Sequence, residues 1–195
     1  DEAEAYFRHI LAEHADGKDM CLTEVYANLG AIYYFDRGDV VSARRYYEQG
    51  LSAPQCQMIE DEGHKIAISN IHKDLCFMYA CEKRWHEAKE FARRRLTLNS
   101  TCPVAAEVLA VCSWNEYSQD EDRSKYQKES IRCPELEEAV GYFRTALQQD
   151  IRRYASLSGL AVGLYHMERM PYYQTDERTH KAMEEERDRC VTSLL

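Results

Sequence analysis

Residues 26–54 read YANLGAIYYFDRGDVVSARRYYEQGLSAP, two short amphipathic helices separated by a tight turn. Tyr26, Leu29, Ile32 and Tyr33 recur at helical spacing and give the first helix one apolar face. Gly30 stands beside Leu29, where the missing side chain lets another helix come close. Asp36-Arg37-Gly38-Asp39 interrupts the pattern with turn residues. Val40, Ala43, Tyr47 and Leu51 then make a second apolar stripe, and Pro54 stops it. The spacing predicts helices over 22–35 and 39–52.

Taken in order, the stretch supplies an aromatic residue, Leu-Gly, Tyr, a turn Gly, Ala, an aromatic residue and Pro. It resembles a tetratricopeptide (TPR) repeat, whose signature is W-x2-L-G-x2-Y, A-x3-F and P. Tyr26 stands where the signature has Trp, and the turn runs one residue long. Leu75, Tyr79, Trp85 and Ala88 repeat the spacing, with Cys76 in place of Gly and Phe91 one residue early. The leucine anchors Leu29, Leu75, Leu109 and Leu160 are separated by 75 − 29 = 46, 109 − 75 = 34 and 160 − 109 = 51 residues. The family period is about 34 residues, so the middle interval fits and the outer two are longer. Both excesses fall on polar segments that contain helix breakers. The resemblance covers residues 22–167, strongest in the first copy and weakest in the last two.

Outward from that stretch, residues 1–16 form an opening helix with Tyr6, Phe7, Ile10 and Leu11 on its apolar face, ended by Asp16-Gly17. Residues 22–53 are the first repeat. The polar, acidic segment 55–63 fits either a loop or the first turns of a long helix. The second repeat spans 66–99, with a helix over Ile66–Glu82 and a partner that opens at Arg84-Trp85 and ends near Asn99. The third spans 103–149. Val104, Val108, Leu109, Val111 and Cys112 mark its first helix, and 117–133 (YSQDEDRSKYQKESIRC) reads as an inserted loop. Pro134 opens its second helix, which carries Leu136, Ala139, Phe143 and Leu147. Residues 151–195 make a degenerate fourth repeat and a closing helix. Its first helix is expected over Ile151–Met167, a break at Met170–Gln174, and a last helix capped by Asp176 with the stripe Met183, Cys190, Val191 and Leu194. The expected fold is all-α: one domain, a right-handed superhelix of antiparallel helix pairs.

The composition agrees with a folded helical chain. Its 195 residues are 45% hydrophobic with only 8 Gly and 4 Pro, too apolar for disorder and too poor in breakers for a loop-rich fold. A net charge of −9 argues against a general nucleic-acid or anionic-membrane binder. No apolar run approaches the roughly 20 residues that span a bilayer, and no signal peptide is visible. The chain opens DEAEAYF without Met, which suggests a segment of a longer protein. Its 8 Cys are scattered, several on apolar helix faces. There a thiol behaves as a small hydrophobe, so reduced thiols in an intracellular compartment, the cytoplasm, are expected.

The resemblance implies a concave face lined by the first helix of each pair, and a non-catalytic scaffold or adaptor that binds another protein. Aligned on the leucine anchors, the groove positions are Glu24, Ala27, Ala31 and Tyr34, then Asn70, Lys73, Phe77 and Ala80. Val104, Glu107, Val111 and Trp114 follow, and then Ser158, Val162 and Tyr165. This lining is apolar and aromatic, which suits a peptide or an amphipathic helix. Phe77, Trp114 and Tyr165 are the candidate anchors, since aromatic side chains dominate such interfaces. Tyr34 and Val111 line the groove, while Asn70 and Lys73 fix register. The same aromatics would equally serve as core between repeats, and the closing helix 176–195 could fold over the groove. Some TPR domains grip carboxylates with Lys, Asn and Arg on these helices. Only Lys73, Asn28 and Asn70 resemble that clamp, and Glu24, Asp74 and Glu107 would repel a carboxylate.

Arg93-Arg94-Arg95, with Lys83, Arg84 and Lys89, makes the outer helix of the second pair basic. It could hold an acidic partner or RNA phosphate, or be a solvated convex face, as Glu184-Glu185-Glu186 would also be. A helical-repeat RNA binder and a structural subunit of a larger assembly are the rival readings, and nothing in the sequence settles oligomeric state. His72 and Cys76 share a helix face, with His64, Cys81 and His86 near in sequence. No CxxC or paired HxxxH accompanies them, so core cysteine is the better reading and neither metal nor cofactor is expected. G-x-S-x-G, P-loop and Gly-rich phosphate motifs are missing, and no enzyme activity is expected.

Overall fold

The structure, a computed structural model, describes residues 2–14, 22–53, 62–150 and 152–195. The expected stops at Asp16-Gly17 and Pro54, residues 55–61 of the acidic segment, Cys21, Cys56 and Ile151 lie outside the described residues. Among the described residues all regular structure is helical and there is no strand. Contacts divide the chain into two compact units, Asp1–Ser100 and Thr101–Leu195.

The first unit contains α1 (Glu2–Glu13), α2 (Leu22–Ala31) continuing into a π turn (Ile32–Asp36), α3 (Val40–Ser52), α4 (Glu62–Cys81) and α5 (Trp85–Leu98). α2 packs on α3 and α4 on α5, each pair joined by a short turn. Gly38, at φ +65°, makes the first turn. Asp39 then caps α3, its Oδ1 accepting the Ser42 amide at 3.0 Å. The close approach expected at Gly30 is present: a Cβ there would lie 2.4 Å from the Tyr47 ring. α2 ends in π geometry, whose i→i+5 loops hold one residue more than an α turn. Ala92 fills the fully buried position, and Phe91 stacks on Tyr79 at 5.5 Å. α4 starts earlier than Ile66, and Glu62 and Gly63 of the acidic segment are helical. α1 seats Ile10 against Val25 and Leu29. Its buried Glu4 accepts the Tyr33 hydroxyl at 2.7 Å and pairs with Arg37 and Arg8.

The second unit contains α6 (Pro103–Gln119), α7 (Ser124–Lys128), α8 (Pro134–Gln149), α9 (Tyr154–Glu168), α10 (Pro171–Gln174) and α11 (Glu177–Leu194). α6 packs on α8, α8 on α9 and α9 on α11 around Leu136, Val140, Phe143, Leu157, Leu160 and Leu164. The expected loop over 117–133 needs correcting. α6 runs through Gln119, residues 124–128 form a helical turn, and Tyr117, Tyr126 and Cys133 are buried in the core. The Cys133 amide donates to the Tyr173 hydroxyl at 3.1 Å, which donates to Glu137 at 2.7 Å. Three apolar residues scattered among charges make no period, so the segment reads as polar although it is folded down. The break at 170–174 is itself a helical turn, started by Pro171. Asp176 caps α11 as expected, Oδ1 accepting the Arg178 amide at 3.2 Å. Met183 and Cys190 face inward, and Val191 is exposed.

Candidate functional site

Leu109 and Cys112 of α6 and Leu157, Leu160 and Leu164 of α9 are buried. Helical geometry then turns Val111, Ser158, Val162 and Tyr165 away from the core, while Trp114 packs against its edge. Val111 is 37% exposed, and Val162 and Tyr165 are each 45% exposed. Val111, Trp114, Phe143, Ser158, Gly159 and Val162 line an open cavity of about 210 Å³. Trp114 is half-buried, braced edge-on by His166 at 5.2 Å and tilted against Tyr117 at 5.5 Å. Such a platform is preorganised, because the indole loses little rotamer freedom when a ligand covers it. Burial, with the charges of Arg123 and Arg169, holds the His166 imidazole below its ordinary pKa. Its Nδ1 lies 3.2 Å from the Tyr117 hydroxyl. Glu107, expected to repel a carboxylate, is instead bonded by Arg153, with Nε at 2.6 Å. α11 packs on α9, and Val162 and Tyr165 stay exposed. The closing helix therefore does not cover this face within its unit.

In the first unit α4 exposes Asn70 and leaves Phe77 45% exposed. Lys73 is half-buried, its ammonium 3.4 Å from Asp74. Tyr34 is half-buried on the π turn, edge-on to Phe35 at 4.9 Å. Glu24, Ala27, Asn28, Gly63, Ile66, Ala67 and Asn70 surround a hollow of about 250 Å³. Asp74 was expected beside the groove. It is buried, and accepts the Tyr47 hydroxyl at 2.9 Å. Of the candidate aromatics, Trp114 and Tyr165 share one face of the second unit, while Phe77 belongs to the first.

The arginine triplet is not one patch. Arg93 and Arg94 are exposed, Arg94 pairing with Glu90, but Arg95 is only 8% exposed. Consecutive helical residues point about 100° apart, so three in a row cannot share a face. The signal was available: Ala88, Ala92 and Arg95 follow an i, i+4, i+7 spacing, and all three are buried. Neither Nε nor Nη1 of Arg95 has a hydrogen-bond partner, and the nearby His72 leaves Nδ1 unpartnered. Buried guanidinium nitrogens left without a hydrogen bond are destabilising. Arg95→Met is expected to stabilise the first unit by about 1–2 kcal/mol in urea unfolding, and a loss of stability would show that the charge is compensated in solution.

Among the described residues no three metal-ligating side chains converge. Cys76, Cys102, Cys112, Cys133 and Cys190 are buried, and Cys81 is exposed. Burial pushes the Cys133 thiol up to about 11, which disfavours the thiolate that reacts or ligates. Among the described residues no helix is long and apolar enough to cross a membrane. No protein-family model matches the chain, and no curated protein matches it. The tetratricopeptide resemblance thus rests on the residues that carry it.

Proposed function

We propose that the chain is a TPR-like repeat protein and serves as a non-catalytic scaffold or adaptor in the cytoplasm, binding a peptide or amphipathic helix of another protein. The observation that carries this reading is the exposed face of α6 and α9. Val111, Trp114 and Val162 line one open cavity, and Tyr165 is exposed one turn beyond Val162 on α9. A clustered apolar patch with a braced aromatic at its centre is the usual form of a protein-binding hot spot. Phe77, Tyr34, Asn70 and Lys73 are proposed as partner contacts of the first unit taken by itself.

The test is a pull-down from cytosolic extract with and without nuclease, comparing wild type with Trp114→Ala, Val162→Glu and Lys73→Ala. Trp114→Ala and Val162→Glu are expected to lower partner recovery at least tenfold, as truncation or charging of a hot spot does. Lys73→Ala should matter less, because its ammonium is already engaged by Asp74. Thermal melts monitor folding, and the exposed Val162 supplies a variant that leaves the core intact. Recovery by all three variants equal to wild type would exclude this face. Recovery lost to nuclease would favour RNA, through Arg93 and Arg94.

A further inference from the structure

The apolar face of α6 and α9 ends in two arginines. Arg169 closes α9, stacks 5.2 Å over the Tyr165 ring and donates from Nη1 to its hydroxyl at 2.9 Å. Arg123 comes from the insertion and lies 6.0 Å from the centre of the Tyr117 ring. Both act electrostatically on His166, the residue that braces Trp114. The two guanidiniums come from separate segments, and the rings they rest on, Tyr117 and Tyr165, each lie 5.8 Å from His166. Neither has a carboxylate partner among the described residues. Arg132, Arg144, Arg153 and Arg187 of the same unit each have one, and Arg152, Arg178 and Arg189 share the lack. The negative end of α9 accounts for a cation at Arg169, but not for Arg123.

We propose that this face takes an amphipathic helix that is acidic at one end. Its apolar side chain fills the cavity between Val111, Trp114 and Val162, and an Asp or Glu about two turns away is held between Arg123 and Arg169. The proposal rests on reading the face as protein-binding and adds the chemistry of the partner. The spacing follows from α9 itself. Val162, Tyr165 and Arg169 climb one side of the helix, and seven residues at 1.5 Å each cover about 10 Å. An apolar anchor and a carboxylate at i and i+7 of a helix laid along α9 span the same distance. A carboxylate there would accept charge-assisted hydrogen bonds from the guanidiniums. A basic helix would be rejected by the same pair, which gives the face discrimination as well as affinity.

The experiment is selection of a displayed library of helix-forming peptides on the whole 195-residue chain, after depletion on Trp114→Ala. Recovered clones should carry an acidic residue six to eight positions from an apolar anchor. Their binding should weaken about tenfold in Arg123→Gln or Arg169→Gln and fall with added salt. Both arginines are exposed, so these variants should melt as wild type does. Clones that need Trp114 but lack the acidic residue and ignore both Gln variants would overturn the acidic partner and leave the docking face standing. Failure to recover any Trp114-dependent clone would overturn both. A single-stranded RNA oligonucleotide that binds with the same dependence on Trp114, Arg123 and Arg169 would overturn the proposal in favour of nucleic acid.

Discussion

Tyr47→Ala is expected to cost the first unit about 4 kcal/mol, the range for deleting a large, fully buried aromatic ring. The side chain does three jobs. Its ring occupies the hollow left by Gly30, where even a methyl group would come within 2.4 Å of ring carbon. It is fully buried, so no water replaces it. Its hydroxyl reaches across to α4 and donates to Asp74 at 2.9 Å. Burial and the Asp74 charge push the phenol far above its ordinary pKa, so it stays a neutral donor throughout the working pH range. Tyr47→Phe keeps the ring and deprives a buried carboxylate of its donor, for a smaller loss of about 1–3 kcal/mol. Gly30→Ala should cost a similar amount by overpacking. Gly30→Ala and Tyr47→Ala together should lose less than their sum, because the ring that the new methyl strikes is gone. Strict additivity in urea unfolding would mean that α2 and α3 are not held together at this contact.

Acid should weaken the first unit through His72, the second large effect. Burial first, then the charges of Arg94 and Arg95, hold its pKa down to about 4, against 6.5 for an ordinary histidine. The folded state therefore keeps the ring neutral while the unfolded chain protonates it. Above pH 6.5 both states are neutral and the fold carries no penalty. Between pH 6.5 and 4 the unfolded state binds the extra proton, and stability falls by up to about 3 kcal/mol at 1.36 kcal/mol per pKa unit. The groups that face the ring explain the direction: Phe91, at 5.8 Å, cannot accept a proton's hydrogen bond, and two guanidiniums repel the imidazolium. Urea unfolding of wild type and His72→Phe at pH 7.5 and pH 4.5 isolates the effect. The wild type should lose more stability between the two pH values than the variant, and equal losses would place an acceptor or a counter-charge beside His72 in solution.

Much of this architecture was legible in residues 26–54. Gly30 and Tyr47 announce a helix contact because a glycine among apolar residues implies something large opposite. The outward face of the second unit was legible too. Once Leu109 and Leu160 are taken as inward, helical geometry sends Val111, Val162 and Tyr165 outward. Other features lacked a local signal. Tyr126 and Cys133 pack through a segment with no period, so only the fold shows where they go. Asp74 looked like a surface charge because its donor, Tyr47, belongs to a different pair. Arg95 was hidden by its own neighbours, since a run of three basic residues suggests a patch whatever the helix does beneath it. Arg123 reaches the Tyr117 ring only because the insertion folds back, which no spacing rule expresses.

The π turn at Ile32–Asp36 bears on how such a chain tolerates changes in length. An α-helix advances about 100° per residue, so one residue added within α2 would swing everything after it through more than a quarter of a turn. A π turn would hold such an addition before the chain reverses, and here α3 presents Ala43 and Tyr47 inward. The misfit is confined to the helix end, where Phe35 points to solvent. Phase, rather than residue count, is what each helix pair hands to the next, and a single widened turn is enough to restore it.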